Sequence, residues 1–310
     1  MIKVLSLFDG ISVGKVALDK LGLEIDKDYK YYASEIDKTA IKCSEANHVG
    51  IIRLGDVHKV SFKDGTLFTE NGNFKVGSID LICGGSPCQS FSPLAVSTGN
   101  YKGLKGKSGL FYEYLRILKE IQLENPDVKF LLENVKMAKA NKVELDKYLG
   151  CEGVLINSSL VSFQNRLRYY WSNVKLTPPE DMDISFQDYK VPEADLTSAE
   201  LRPKTNSMLK MWADGKGTNS FAGGCANVTY TKKVYCLTTK QYRCPNSGLI
   251  EHMGFCRFLT QEEMEQAQTL PVGYTSTLSY GQACEVLGNG WTADVIKHCF
   301  KQIMEEINND

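Results

Sequence analysis

Residues 1–175 alternate short apolar runs with amphipathic stretches, and this alternation constrains the fold more than any other feature of the chain. Strands are expected at Lys3–Phe8, Tyr31–Ser34, Ile51–Leu54, Ile79–Cys83, Phe130–Leu132, Leu155–Ser158 and Tyr169–Asn173. Helices are expected at Val13–Leu21, Lys38–Asn47, Leu110–Leu123 and Lys142–Tyr148. In the third helix Leu110, Phe111, Tyr114, Leu115, Leu118 and Ile121 recur at helical spacing and make a face wide enough to cover a sheet. Strand–helix alternation predicts a mostly parallel sheet covered on both sides. Such sheets collect ligands at the carboxyl ends of their strands.

The strand ends carry polar and glycine residues. The first runs into Phe8-Asp9-Gly10-Ile11-Ser12-Val13-Gly14, where glycines let backbone approach a ligand at a helix N-terminus; a tight strand-to-helix turn is the plainer reading of the same residues. The second ends in Ser34-Glu35-Ile36-Asp37, and an acid there can take both ribose hydroxyls of a nucleoside. The third ends in Gly55-Asp56-Val57. Asp56 can accept from an adenine amino group, with Val57 packing on the ring. Each carboxylate alone could equally cap a helix. Three successive strand ends of this type favour an adenosyl pocket.

The fourth strand, Ile79–Cys83, ends in Gly84-Gly85-Ser86-Pro87-Cys88, followed by a polar stretch with Gly99, Gly103 and Gly106. Most cysteines are buried structural thiols. Cys88, displayed after Gly-Gly-Ser-Pro at the rim of a sheet, reads as a nucleophile instead. Phe130–Val135 is another strand ending in an acid, Glu133. In Gln164-Asn165-Arg166-Leu167-Arg168, two arginines at i, i+2 on a strand are expected to share a face and to bind anions or carbonyl oxygens.

In their order and separations, FDGISVG, SEID, GDV, GGSPCQS, ENV and QNRLR resemble the motifs of the cytosine-5 DNA methyltransferase family. Arg257-Phe258-Leu259-Thr260 through Gln268 and Pro271 is similar to that family's ninth motif, and Gly288-Asn289-Gly290-Trp291-Thr292-Ala293 to its tenth. The resemblance covers about 1–175 and 256–305. The FDGI opening, the ASE and GDV triplets and the Gly-x-x-Trp ending lean toward the type-3 (de novo) branch, while Asn289 keeps the bacterial choice. With no long chromatin-reading region in the chain, a stand-alone bacterial or phage form is expected.

The resemblance implies a Rossmann-like α/β fold, with a mostly parallel sheet of the S-adenosylmethionine-dependent methyltransferase type and a smaller, loop-rich target recognition domain. It implies S-adenosyl-L-methionine as cofactor and S-adenosyl-L-homocysteine as product. Cys88 would add to C6 of a flipped cytosine, Glu133 would hold N3 and the exocyclic amine, Arg168 the C2 carbonyl, and Arg166 the loop or substrate. Phe8, Asp9, Gly10, Ile11, Glu35, Ile36, Asp56, Val57, Pro87, Asn289, Trp291 and Thr292 would contact the cofactor. Gln89, Ser90, Ser92, Lys102, Lys105, Lys107, Lys240 and Arg243 would contact DNA. The expected division is a catalytic and cofactor-binding domain at 1–177, a recognition domain at 178–280, and a C-terminal helix at 281–310 returning to the first.

Charge adds to this reading. The chain carries a formal net charge of −1, but 201–257 holds nine basic residues against Asp214 and Glu251, a local balance of +7. Such a segment can follow a phosphate backbone or simply be a solvated surface. The ten cysteines include no CxxC pair, so free thiols are expected and no metal site. No run is long and apolar enough to span a membrane, and Met1–Leu5 reads as a strand rather than a leader, so a cytoplasmic, nucleoid-associated enzyme is expected. Duplex DNA is the expected partner of a monomer, with a restriction endonuclease the only protein companion considered. Two alternatives stand beside this. A tRNA cytosine-5 methyltransferase of the same family would carry a Cys-Phe-Thr tripeptide, which is absent here. A catalytically silent DNA-binding scaffold would have damaged motifs, and these are intact.

Overall fold

A computed structural model describes residues 1–86, 109–192, 196, 226–243, 246–252 and 255–309. These fall into two compact units. The first comprises Met1–Ile156, Leu167–Pro178 and Ile296–Asp310; the second comprises Asn157–Arg166 and Pro179–Val295.

The first unit is built on a seven-stranded sheet. Its strands are β1 (Ile2–Leu7), β2 (Tyr29–Ser34), β3 (Ile52–Gly55), β7 (Leu81–Gly84), β8 (Lys129–Val135), β9 (Val154–Asn157) and β10 (Leu167–Trp171). The order across the sheet is β3-β2-β1-β7-β8-β10-β9. The pairs β1–β2, β2–β3, β1–β7 and β7–β8 are parallel, and β10 runs antiparallel to β8. β1 therefore lies where the chain, after stepping outward through β2 and β3, returns to build the other side. In an open α/β sheet this switch point is where a crevice forms beyond the strand ends.

Among the described residues, four helices of this unit precede the C-terminal one: α1 (Val13–Asp19), α2 (Lys38–Asn47), α3 (Gly109–Glu124) and α4 (Lys139–Leu149). α3 buries Phe111, Tyr114, Leu115, Ile117, Leu118 and Ile121 in a core shared with Leu5, Leu7, Ile82, Phe130, Leu132 and Trp171. Full burial of each such side chain is worth about 1.5–3 kcal/mol. α2 starts where Asp37 accepts from the N–H groups of Thr39 (2.7 Å) and Ala40 (3.0 Å).

Between β3 and β7 lies a feature the hydrophobic pattern does not announce, an antiparallel meander of β4 (Ser61–Lys63), β5 (Thr66–Thr69) and β6 (Gly72–Lys75). Asp64 and Gly65, both at positive φ (50° and 65°), join β4 to β5 as a tight two-residue hairpin.

Among its described residues the second unit has little regular structure. Its described elements are short 3-10 turns at Ser158–Leu160 and Phe186–Asp188, the hairpin β11 (Ile250–His252) and β12 (Phe255–Arg257), α5 (Gln261–Ala267), α6 (Tyr280–Asn289) and the first residues of α7 (Ala293–Asn309), which belongs to the first unit from Ile296 onward. α6 is absent from the sequence reading. Val234–Thr239, a β-type run in the sequence, is not a strand, and only Val234 forms an isolated bridge, to Gln164. Among the described residues no helix is long and apolar enough to cross a membrane, and no cluster of His, Cys, Asp and Glu could hold a metal ion.

Candidate active site

β1 delivers the chain into a turn in which Phe8, Gly10 and Ser12 all have positive φ, at 58°, 57° and 62°. Side-chain-bearing residues rarely adopt that region, so Phe8 and Ser12 must be held there. Asp9 holds them. Its buried carboxylate accepts from Ser6 Oγ (2.7 Å), Ser12 Oγ (2.5 Å), Tyr31 Oη (2.8 Å) and Arg53 Nη1 (3.3 Å). The sequence places Asp9 among the cofactor contacts; in the structure its side chain points into the protein and shapes the turn. Ile11 is likewise buried, whereas Phe8 is half-buried against the core.

A Cβ built on Gly10 would meet no described atom within 4 Å, so the turn opens onto space that a ligand could fill. Beside it, Glu35 follows β2. Its Oε2 accepts from Gly10 N (2.7 Å), and its Oε1 from Ile36 N and Asp37 N (2.8 Å each). Burial pushes the Glu35 carboxyl above its ordinary range, against the opposing pull of these N–H groups. Ile36 is 67% exposed, an apolar side chain standing free at the rim. Asp56 follows β3, and its Oδ1 accepts from His58 N (3.0 Å). Val57 does not face the same way. Its side chain is buried in the core, so only its backbone is left for a ligand.

On the other side of the switch point, β7 ends at Gly84. A Cβ there would lie 2.8 Å from the carbonyl oxygen of Leu7 and 3.1 Å from the Tyr114 ring, so close approach of β1 and β7 requires glycine. Cys83 is buried, and burial pushes its thiol up to about 12. Ser86 is buried too, and Asn134 Nδ2 donates to its carbonyl oxygen (3.3 Å) and its Oγ (3.2 Å). The backbone leading to Cys88 is thus tied to the residue after Glu133. Pro87, Cys88, Gln89, Ser90, Ser92, Lys102, Lys105 and Lys107 lie outside the described residues.

Glu133 sits at the carboxyl end of β8 and is 8% exposed. Antiparallel pairing sets Tyr170 opposite Glu133 and Arg168 opposite Val135. Arg168 Nε reaches Glu133 Oε1 at 3.1 Å, and Arg168 Nη1 donates to Leu167 O (2.9 Å). Two of the four expected catalytic residues are therefore in contact.

Arg166 lies just before β10. β10 begins at Leu167, so the i, i+2 alternation does not extend back to it. Its buried guanidinium donates to Leu237 O (3.2 Å), Gly288 O (3.1 Å) and Gly290 O (2.8 Å) within the second unit. A cation on the carbonyls that end α6 is favourable for that helix. Thr292 lies in the second unit. It is buried, and its hydroxyl hydrogen-bonds Gln268 Oε1 and Ser158 Oγ at 2.8 Å each. Asn289 is exposed and Trp291 half-buried in the same unit. Lys240 and Arg243 are exposed on one turn, where Arg243 N donates to Lys240 O (2.8 Å) and the guanidinium lies 5.1 Å from the Tyr242 ring centre. Arg53, Glu70 and Asn134 are site-supporting residues that the sequence reading missed. The Asp-Gly pair at 64–65 is the one local signal that leads toward Glu70.

A mostly parallel sheet in this order, with β10 antiparallel beside β8 and a glycine turn, Glu35 and Asp56 on its first three strand ends, defines a Rossmann-like fold of the S-adenosylmethionine-dependent methyltransferase type. Residues 2–149 match the family described as C-5 cytosine-specific DNA methylase. Over 139 residues, 44% of this chain, it is 39% identical to the orphan methyltransferase M.Rho11sI of Bacillus phage rho11s; the chain spans 23% of that protein's length. The type II methyltransferase M.NlaX of Neisseria lactamica is 26% identical over 336 residues, covering 98% of this chain and 96% of that one. Among solved structures, the S. pombe Dnmt2 methyltransferase superposes with a TM-score of 0.70 at 18% identity, covering 99% of this chain and all of that one. A putative DNA modification methyltransferase from an E. coli prophage gives 0.63 at 18% identity over the whole of both chains. These structures establish the fold.

Proposed function

We propose that this protein is a DNA (cytosine-5)-methyltransferase that transfers a methyl group from S-adenosylmethionine to C5 of a cytosine flipped out of duplex DNA. The observation that carries the reading is the Glu133–Arg168 contact at the end of β8, beside the strand that leads to Cys88, in a chain whose residues 2–149 match the C-5 cytosine-specific DNA methylase family.

The residues present fit the cofactor. The open side of Gly10, the Glu35 carboxylate anchored to it, exposed Ile36 and Asp56 together offer backbone approach, a ribose acceptor, an apolar edge and an amino-group acceptor. Bound there, S-adenosylmethionine supplies an electrophilic methyl group. Cytosine C5 is a poor nucleophile, and covalent addition at C6 overcomes this. The Cys88 thiolate adds to C6, and the electron pair of the C5–C6 double bond moves into the ring toward N3 and O2. Glu133 holds the N3 and amino edge, and Arg168 holds the C2 carbonyl where negative charge gathers. After C5 is methylated its proton leaves, the double bond re-forms, and Cys88 departs as thiolate. Because the reacting atoms are inaccessible in a stacked duplex, the base must flip. Lys240 and Arg243, exposed on one turn, are suited to phosphate contacts. One chain suffices for this chemistry, in the cytoplasm. A restriction endonuclease of the same specificity would be a companion rather than a component.

Expression in a host lacking cytosine methylation, followed by bisulfite sequencing of its DNA, tests the reading. Protected cytosines in a fixed sequence context are expected. A genome as fully converted as that of a host expressing Cys88→Ser would refute it.

A further inference from the structure

The β4–β6 meander replaces a plain connection between β3 and β7, and its far turn folds back onto the end of β3. Glu70, in that turn, accepts the backbone N–H of Asp56 at 2.7 Å. Its neighbour Asn71 donates from Nδ2 to the carbonyl oxygen of Arg53 at 3.1 Å. The turn itself is braced by Thr69, whose Oγ1 donates to Gly72 O (2.8 Å) and accepts from Asn71 N (3.2 Å).

The seat for Glu70 is Gly55. A Cβ on Gly55 would fall 2.1 Å from Glu70 Oε1, and Gly55 holds φ at +79°, a conformation that side-chain-bearing residues resist. Gly55 is fixed from the other side by Ser34 Oγ, which donates to its carbonyl oxygen at 2.7 Å. Held in this way, Asp56 gives one carboxylate oxygen to His58 N at 3.0 Å. Among the described residues its other oxygen makes no hydrogen bond, which leaves it as an acceptor at the strand end.

We propose that Glu70 is the positioning residue that fixes Asp56 for the adenine amino group, so that the meander sets the nucleobase preference of the cofactor site. This rests on the adenosyl reading of the β1–β3 strand ends. Glu70 acts through the Asp56 main chain. Without it, Asp56 is free to swing, and the acceptor is no longer aimed.

Calorimetric titration of purified protein with S-adenosylhomocysteine and with its 6-oxo analogue, S-inosylhomocysteine, tests this without any turnover. Wild type should bind the adenosyl compound more tightly. Glu70→Ala should weaken it by about 3- to 10-fold, the range of one positioned hydrogen bond, while the inosyl analogue changes by less than about 2-fold. Glu70→Gln, which keeps an acceptor at the same reach, should restore most of the preference. Glu70→Ala in an Asp56→Ala background should cause no further loss. Equal weakening of both compounds, or an unchanged preference in Glu70→Ala, overturns the proposal while leaving the adenosyl site standing. A wild type that binds neither compound overturns the adenosyl reading, and this inference with it.

Discussion

Arg257 and Glu263 give the sharpest stability prediction. Arg257 Nη1 and Nη2 contact the two Glu263 carboxylate oxygens at 2.8 Å each, and the side chains are 2% and 0% exposed. Glu263 also closes a capping box with Thr260 at the start of α5 and accepts from Val191 N (2.9 Å). Arg257 Nη1 also donates to Phe258 O (3.0 Å). The Arg257-Phe258-Leu259-Thr260 motif is therefore a folding device, joining the end of β12 to the first turn of α5. Arg257→Met leaves a buried carboxylate without its counter-charge, which costs about 3–5 kcal/mol. Arg257→Met with Glu263→Gln removes both charges and keeps an oxygen for the backbone donors, so its cost should fall to about 1–2 kcal/mol. Glu263→Gln alone strands the arginine and should cost more than the double variant. Equilibrium urea unfolding, with m-values compared, measures all three. A loss below about 1 kcal/mol in Arg257→Met, or a double variant showing the sum of the single losses, would refute the reasoning.

Four shorter predictions accompany it. Gly84→Ala pushes a Cβ to 2.8 Å from the Leu7 carbonyl oxygen, so it should cost about 1–3 kcal/mol and weaken S-adenosylhomocysteine binding, as read by thermal shift and calorimetry. Glu133→Gln and Arg168→Ala should each lower methyl transfer about 100-fold or more while thermal stability changes little, as read by labelled-methyl incorporation. Burial raises the Asp146 carboxyl, but Lys142, Trp171 and Gly153 together pull it below its ordinary range. Its stabilisation is therefore present above the unfolded value of about 3.9 and is lost as pH falls through the lower folded value, so the advantage of wild type over Asp146→Asn should be full near pH ~6 and shrink progressively as pH falls below ~4. Burial pushes the thiols of Cys83 and Cys299 up to about 12, so alkylation of the native protein at pH ~8 should spare both, as mapped by mass spectrometry.

The first unit was legible because its strands and helices each repeat a local pattern. Phe111, Tyr114, Leu118 and Ile121 sit at helical spacing and are buried together, and Glu35 and Asp56 fall at strand ends because the sheet is parallel. Contacts that depend on distant chain were not legible. Arg166 and Arg168 are two residues apart, yet the strand begins between them, and the carbonyl oxygens that hold Arg166 come from 237, 288 and 290. The second unit assembles Val228, Val234, Leu237 and Leu249, all buried, without a helical or strand period to announce them. The meander escaped notice because its strands are only three or four residues long, although Asp64-Gly65 marks its first turn. That turn leads toward Glu70, but its contact is with the main-chain N–H of Asp56, which no residue type reveals.

The central claim is that the Cys88 thiolate and the Glu133–Arg168 pair methylate cytosine in DNA. Incubating wild type and Cys88→Ser with methyl-labelled S-adenosylmethionine, in separate reactions with duplex DNA and with tRNA, tests it most directly. Label should enter duplex DNA as 5-methylcytosine with wild type only, leaving tRNA unlabelled. Label in tRNA alone, or equal labelling of DNA by the serine variant, would contradict it.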